Sequence, residues 1–405
     1  MTDARQHLGT AGSGVRGVNR RKVFLALAIK ADTQVGVASR TLLSQATVSS
    51  SVRELAMAGL VRDTRAERPS RNGISLTPSD HVGVGVHLGY ERVVVVARTI
   101  DKNFDDSVVR VSAEGVQSGW QAISPMVEQM ITEAIHATGR HREDVISLGI
   151  AVPRMIDPRT GAFASPVVYP WREDDDPAGD LGALLGVTAV IDNDANLGAL
   201  AEQTYGTHTH AETVVYVKVS GDVGAGIITH NTILRGRRGM AGEIGHLTVD
   251  PDGTVCHCGG RGCLETVISA DALIAQVRAA RPRSGAVHPA RLTEIVRDAN
   301  AGDVVCERVV RDAGRVLGRC LAHLCNLLNP DLVVMGGELS ACGELLKGCT
   351  ESLRRHALQG AVAEDSGFSL QLGELGATAE AQGALVLGLR GQETREDLSA
   401  ATTSS

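Results

Sequence analysis

Glu243-Ile244-Gly245-His246 and, a few residues on, Cys256-His257-Cys258-Gly259-Gly260-Arg261-Gly262-Cys263-Leu264-Glu265 decide the reading of this chain. Cys256, Cys258 and Cys263 supply three thiolates and His246 an imidazole, the donor set of a tetrahedral Zn2+, while the interleaved glycines let a short loop close around the ion. With all four positions filled by protein, no place remains for an activated water, so such a metal is structural. Glu243 and Glu265 flank the set as carboxylates free to grip a polyhydroxylated ligand. The alternative, three buried or disulfide-linked cysteines beside an unrelated histidine, fits the close Cys-x-Cys spacing among glycines less well.

Composition sets the frame around this motif. A length of 405 residues predicts two or three domains. Hydrophobic residues make up 43% but aromatics only 2%, so the cores must be built from Val, Leu, Ile and Ala, as in α/β domains with parallel strands. No apolar run has the length of a membrane span, and the N-terminus lacks the apolar core of a signal peptide, which predicts a cytoplasmic protein with no membrane partner. In that compartment Cys306, Cys320, Cys325, Cys342 and Cys349 are expected to be reduced.

The net charge of -7 is unevenly spread. Residues 1–78 carry twelve Lys or Arg against five Asp or Glu, and the rest of the chain is acidic. A basic segment of this size suits a nucleic-acid partner, although charge alone selects no sequence. Its pattern is more specific. Asn19 to Ala31 predicts a first helix and Thr33 to Arg40 a short second one. Ser44 then caps a third helix, Gln45 to Leu55, in which Val48, Val52 and Leu55 share a face. On the opposite side Gln45, Thr47, Ser49, Ser50 and Arg53 are placed to meet base edges or phosphates, as in the recognition helix of a helix-turn-helix. Gly59-Leu60-Val61 enters a hairpin whose basic turn carries Arg65, Arg68 and Arg71. A small helical protein-interaction module is the other reading of this region.

From about Pro78 the pattern becomes strand and helix. His81–Val86, Arg92–Ala97 and Val145–Ala151 read as strands of one lobe. Val214–Val219, Gly224–Ile228 and Leu332–Met335 read as strands of a second, with helices near 269–281 and 303–327. The closing helix, Ala377 to Arg390, is expected to return to the first lobe. Glu393 to Ser405 is polar and Ser/Thr-rich and is expected to be a disordered tail.

Glu-x-Gly-His followed by Cys-x-Cys-Gly-x-x-Gly-Cys-x-Glu resembles the signature of the ROK family, which holds both sugar-responsive repressors and sugar kinases. The resemblance runs from about Asn19 to Arg390. It implies an α/β fold: a winged helix-turn-helix (19–78, after a flexible arm 1–18), then two actin-like, ribonuclease-H-like lobes (79–192 with 377–390, and 193–376), then the tail 391–405. Leu43 to Ser49 is similar to the Leu-Ser-x-Ala-Thr-Val-Ser string of the family's repressors, whereas Gly36 departs from their second helix and is expected to weaken it by about 1 kcal/mol. The resemblance assigns sugar contacts to Asn193, Asp194, Glu243, His246 and Glu265, with Asp194 as general base if the chain were a kinase. From local sequence alone, Asn193 and Asp194 also read as a polar helix cap.

The phosphate side departs from the family's kinases. His87-Leu88-Gly89-Tyr90-Glu91 stands where they carry Asp-x-Gly-Gly-Thr, so phosphate donors and a Mg2+ ligand are missing. Ser220 to Gly226 keeps its glycines, reading either as a phosphate loop or as a plain strand turn, and Glu338 adds an anion near Gly336-Gly337. ATP binding is therefore not expected. Arg154 replaces a glycine and reads either as an anion contact or as a surface residue; Trp171 reads as a sugar-stacking or packing ring. The expected function is a sugar-responsive, DNA-binding transcriptional regulator, a repressor rather than an enzyme, that acts on a double-stranded operator. It answers to a sugar or sugar-phosphate effector, contains one structural Zn2+, and works as a homodimer or homotetramer. The alternative is an ATP-dependent hexose kinase with an appended DNA-binding domain.

Overall fold

The computed structural model describes residues 15–63, 73–164, 171–172, 174–207, 211–281, 288–363 and 365–402. It opens with three helices, α1 (Val15–Ile29), α2 (Gln34–Thr41) and α3 (Gln45–Met57), and an antiparallel ribbon of β1 (Val61–Asp63) and β2 (Ile74–Leu76). Thr33 caps α2 by accepting from Gly36 N at 3.0 Å, and Ser44 caps α3 by accepting from Thr47 N at 3.2 Å. Leu42, at φ 56°, makes the left-handed turn between them. Gly36 has a local reason to be glycine: a Cβ there would fall 2.3 Å from the Asp32 carboxylate, which accepts from Thr33 N and pairs with Arg40. The expected weakening of α2 is therefore set against this local packing, since a Cβ at position 36 would oblige the Asp32 side chain to swing away from its partners. Arg65, Arg68 and Arg71 lie outside the described residues.

Two five-stranded sheets follow, each with an antiparallel meander leading into parallel strands. The first contains β3 (Val82–Leu88), β4 (Val93–Thr99), β5 (Val108–Val111), β6 (Val145–Val152) and β7 (Ala189–Asn193), in the order β5-β4-β3-β6-β7. Helices α4 (Trp120–Ala137) and α5 (Pro177–Leu185) cover one face. Helix α6 (Asp194–Tyr205) crosses to the second sheet, formed by β8 (Thr213–Val219), β9 (Val223–Thr229), β10 (Thr232–Ile233), β11 (Leu332–Gly336) and β12 (Ser369–Leu372). Its outer face is packed by α7 (Ala270–Ala280), α8 (Leu292–Asn300), α9 (Val304–Leu328) and α10 (Gly343–His356). The central strands β3, β6, β8 and β11 are almost wholly buried, as strands sandwiched between helices must be, while the edge strands β7 and β12 are only half-buried. None of the described helices is long and apolar enough to cross a membrane.

The closing helix α11 (Ala379–Thr402) returns to the first sheet. It lies directly on the strands because Gly85 of β3 and Gly149 of β6 face each other in register: a Cβ on either would come within 2.1 Å or 1.8 Å of Ala381 O or Ala384 O.

Three boundaries differ from expectation. Helix α1 already takes in Val15 to Val18, inside the segment read as an arm. The closing helix begins at Ala379, after a turn of 3-10 helix at Gly376–Thr378. It also continues to Thr402 through the segment read as a disordered tail, because Glu393 to Ala401 contains good helix formers and neither Gly nor Pro.

Replacing Gly149 by Ala is expected to lower unfolding stability by about 1–3 kcal/mol, the usual cost of overpacking, because the added methyl meets the backbone of α11 rather than a side chain that can move. Urea denaturation of the two proteins side by side measures it; an unchanged midpoint would mean that α11 does not rest on this strand pair.

Candidate functional site

After β10 the chain leaves the second sheet and folds back on itself. Thr248 pairs with Cys263 and Val255 with Arg261 in short antiparallel bridges, and Val249 N donates to Gly262 O at 2.8 Å. Gly262, at φ 61°, permits the return: a Cβ there would lie 1.4 Å from Asp250 O. The effect is to bring Cys256, Cys258 and Cys263 beside His246, with one donor atom from each within 4.8 Å of the others. His246 Nδ1 lies 3.7 Å from Cys256 Sγ, and Cys258 Sγ lies 3.7 Å from Cys263 Sγ. Four donors about 2.3 Å from a central ion are separated by about 3.8 Å along each tetrahedral edge, so these spacings suit a Zn2+ ion. His246 Nε2, the other ring nitrogen, points toward Glu243 at 3.9 Å. His257, between the first two cysteines, pairs instead with Glu265 at 3.2 Å.

Glu243 and Glu265 stand on the inner side of this cluster, close to Asp222. Burial, reinforced by Asp222, Asp194 and Glu265, pushes the Glu243 carboxyl up to about 8. Burial and Asp222 push Glu265 up to about 7. Glu265 also accepts weakly from Val223 N at 3.4 Å, which ties it to the start of β9.

Asn193 and Asp194 begin α6, but the structure gives both of them partners within the protein. Asn193 is the helix cap, accepting from Asn196 N at 3.2 Å and donating from Nδ2 to Arg154 O at 3.4 Å. Asp194 is 1% exposed and receives Lys218 Nζ at 2.6 Å, with His87 Nε2 at 3.4 Å on the same oxygen. Lys218 is 2% exposed and also donates to Asp222 at 2.6 Å. Burial would raise the Asp194 carboxyl, but Lys218 and His87 outweigh it and hold the group below its ordinary range. Burial would likewise lower Lys218, and Asp194, Asp222 and Glu380 together raise it instead. Tyr216 donates to Glu380 at 2.8 Å, and His87 Nδ1 approaches the other oxygen of Glu380 at 3.9 Å.

Sequence reading missed Lys218, Asp222, Tyr216 and Glu380 as members of this cluster, and gave His87 only the role of a lost phosphate turn. It also missed Arg235, which grips Asp192 with Nε at 2.8 Å and Nη2 at 2.6 Å beneath Asn193. Arg154, read as either anion contact or surface residue, is 8% exposed and lies over the Phe163 ring at 5.1 Å, so it is not on the surface. Trp171 is buried with its ring 5.5 Å from Phe163, which favours its packing reading.

Across the cleft the two lobes touch where a nucleotide would enter. The Tyr90 ring covers Gly221, such that a Cβ at Gly221 would be 2.8 Å from it. Arg92 pairs with Glu338 at 2.7 Å. In the N-terminal unit Gln45, Ser50 and Arg53 are exposed, while Thr47 and Ser49 are half-buried and the Thr47 hydroxyl is 2.9 Å from its Ser44 cap.

Comparison with known proteins places these features in a class. Residues 84–390 match the ROK family, and the chain belongs to that family. It is 30% identical over 336 residues to the DNA-binding transcriptional dual regulator NagC of Escherichia coli K12, covering 79% of this chain and 80% of that one. It is 32% identical over 260 residues to a glucokinase of Halalkalibacterium halodurans, covering 60% of this chain and 76% of the relative. Among solved structures, a ROK family transcriptional regulator, homolog of the E. coli MLC protein, superposes with a TM-score of 0.69 at 21% identity and covers 95% of this chain and 100% of that one.

Substituting Lys218 by Met is expected to cost about 3–5 kcal/mol in chemical denaturation, since it strands the buried Asp194 charge. Adding Asp194→Asn should restore part of that loss. A Lys218→Met protein as stable as the parent would show that the ammonium does not hold the cluster together.

Proposed function

We infer that this chain is a sugar-responsive, DNA-binding transcriptional regulator. One observation carries the reading: at 30% identity the sequence likeness to the regulator NagC covers 79% of the chain, against 60% for the glucokinase, and the fold match to a ROK regulator covers 95%, too much to leave out the three helices and ribbon before Pro78. We read α1 to β2 as a winged helix-turn-helix, with α3 presented to the major groove and the wing between β1 and β2 on phosphates. Gln45, Thr47, Ser49 and Ser50 are proposed at base edges and Arg53 on a phosphate, with Arg68 and Arg71 assigned to the wing on sequence alone. Two such units in a homodimer, or in a tetramer built from it, would read paired half-sites.

The sugar is proposed to lie between Asn193, Asp194, Glu243, His246 and Glu265. Lys218 is the cation nearest these carboxylates and is already shared by Asp194 and Asp222. An uncharged sugar therefore suits the pocket better than a sugar phosphate. His246, Cys256, Cys258 and Cys263 would hold Zn2+, which supplies rigidity to the loop and orientation to the His246 ring. The chain's own residues do the rest: Glu243 and Glu265 accept sugar hydroxyls, and Asn193 and Asp194 hold the opposite side at the head of α6. A sugar that binds one arrangement of the lobes better than the other shifts operator affinity by that difference.

The kinase alternative draws on Asp194 and on the glucokinase relative. Against it stand the buried ammonium on Asp194, the Tyr90 ring over Gly221 and the Arg92–Glu338 pair across the cleft. Phosphoryl transfer depends on preorganised donors around the phosphates, and that room is filled here by side chains.

The full-length protein is expected to select DNA fragments from a random pool, to release or tighten on them with at least one of D-glucose, D-xylose and N-acetyl-D-glucosamine, and to consume no ATP with any of these. Arg53→Ala should weaken binding across sequences and reduce its salt slope by about one, and Glu243→Ala should remove the sugar effect alone. Sugar-dependent ATP turnover that is lost in Asp194→Asn would overturn this reading in favour of the kinase.

Metal analysis of the purified chain is expected to find one zinc per chain, and Cys258→Ser to lower both metal content and sugar affinity. A folded, sugar-binding protein free of zinc would remove the metal from the account.

A further inference from the structure

The two ends of α6 face different parts of the molecule. Its first residues, Asn193 and Asp194, form one wall of the proposed sugar site; its last, Thr204 and Tyr205, touch the end of α1. Tyr205 donates from its hydroxyl to Ile29 O at 3.2 Å, and Lys30 Nζ donates back to Thr204 O at 3.1 Å. Arg98, a cation in the valine-rich β4, is 2% exposed; its Nη2 donates to Ala28 O and Ile29 O at 3.1 Å each and lies 3.5 Å from the Tyr205 hydroxyl. Arg40, from α2, adds donors to Ala26 O at 2.9 Å and Lys30 O at 2.8 Å. The carbonyls that end a helix have no partner within it. Those of α1 are met here by side chains from the first lobe, from α6 and from α2 at once.

Between these ends α6 has little freedom to bend. Residues Asp194 to Thr204 are buried, and the helix backbone is in close contact on two sides. A Cβ at Gly226 of β9 would fall 2.1 Å from Ala195 O, and one at Gly383 of α11 would fall 1.8 Å from Leu197 O. Twelve residues of helix span about 18 Å. A displacement imposed at the sugar end is therefore delivered at the Tyr205 end rather than absorbed on the way. Beside that end a cleft of about 210 Å³, partly open to solvent, lies among Lys22, Ala26, Ile29, Arg40, Asn231 and Arg390, at the edge of the α1 packing.

We propose that Arg98, Tyr205 and Lys30 are positioning residues that couple the sugar site to the DNA-binding unit, with α6 as the rigid element between them. This rests on the sugar reading of the α6 N-terminus made above. Directional hydrogen bonds to the fixed carbonyls of α1 are either kept or broken by a small shift, which gives the unit two arrangements for the sugar to choose between.

The test uses full-length protein, the DNA fragments it selects, and whichever of D-glucose, D-xylose and N-acetyl-D-glucosamine binds by calorimetry. Tyr205→Phe keeps the ring against Phe104, 4.8 Å away, and removes only the hydroxyl; Lys30→Met keeps the stem and removes the ammonium. The parent is expected to show a sugar-dependent change in DNA affinity of about 5-fold to 150-fold, and both variants a change below about 2-fold, with sugar affinity and sugar-free DNA affinity each kept within about 2-fold. Thermal melts confirm that each variant is folded. Full sugar response in both variants would overturn the proposal and leave the regulator reading intact. Equal loss of sugar-free DNA binding would overturn it too, by showing that the junction merely holds the unit in place. A parent protein that binds DNA with no sugar response overturns both readings, and that arm involves no variant.

Discussion

The ammonium of Lys218 has no water to turn to, and much of the architecture follows from how it is satisfied. Moving such an ion into the interior costs several kcal/mol unless carboxylates and hydrogen bonds compensate. Here they come from three directions: Asp194 at the head of α6, Asp222 in the turn after β8, and Glu380 at the start of α11, which is joined to the group through Tyr216 and His87. Those residues belong to both sheets and to both helices that cross between them. The base of the cleft is thus tied by charge.

Local features were readable in the chain before folding, and distant ones were not. The Cys256 to Cys263 loop, strands β3, β4, β6, β8, β9 and β11, and Ser44 as the cap of α3 are each specified within a few residues, by ligand spacing, by runs of β-branched residues or by a capping side chain. The ion cluster draws on positions 87, 194, 216, 218, 222 and 380, and no window contains them. A signal was nevertheless present. Lys218 sits in Val214–Val219 and Arg98 follows Val93–Ala97, each a lone cation in a run that can only be a buried strand. A cation in such a place requires partners from elsewhere in the fold, so each of the two marks a junction even though the sequence does not say with what. Strands β5, β7 and β12 and helices α4, α5, α8 and α10 were missed for another reason: short, half-buried or interrupted apolar patterns acquire their shape from neighbours.

The boundary near Pro78 is a change of composition and not of packing. Positive charge gathers before it, as the proposed contact with DNA would require, and nothing in that demand requires a separate core. Leu25, Leu27 and Ile29 of α1 belong to the same continuous apolar cluster as Leu197 and Leu200 of α6 and Leu385 and Leu389 of α11. The N-terminal unit is therefore docked on the two crossing helices instead of hanging from a linker. A docked unit feels changes in those helices directly, whereas one on a flexible tether would be insulated from them.

The charge of the pocket narrows what can reach those helices. Two like charges about 4 Å apart repel by about 4 kcal/mol at an effective dielectric near 20. A phosphate brought into the proposed site would meet such a term from Asp194 and Asp222, with Lys218 already engaged by both. Hydroxyl groups face no such barrier. Burial beside Asp222 pushes Glu243 up to about 8 and Glu265 up to about 7, toward the protonated form. Each can then donate to one sugar oxygen and accept from another, a pairing that an ionised carboxylate cannot offer. Under the sugar reading proposed above, the same crowding of carboxylates that raises Glu243 and Glu265 suits a neutral ligand.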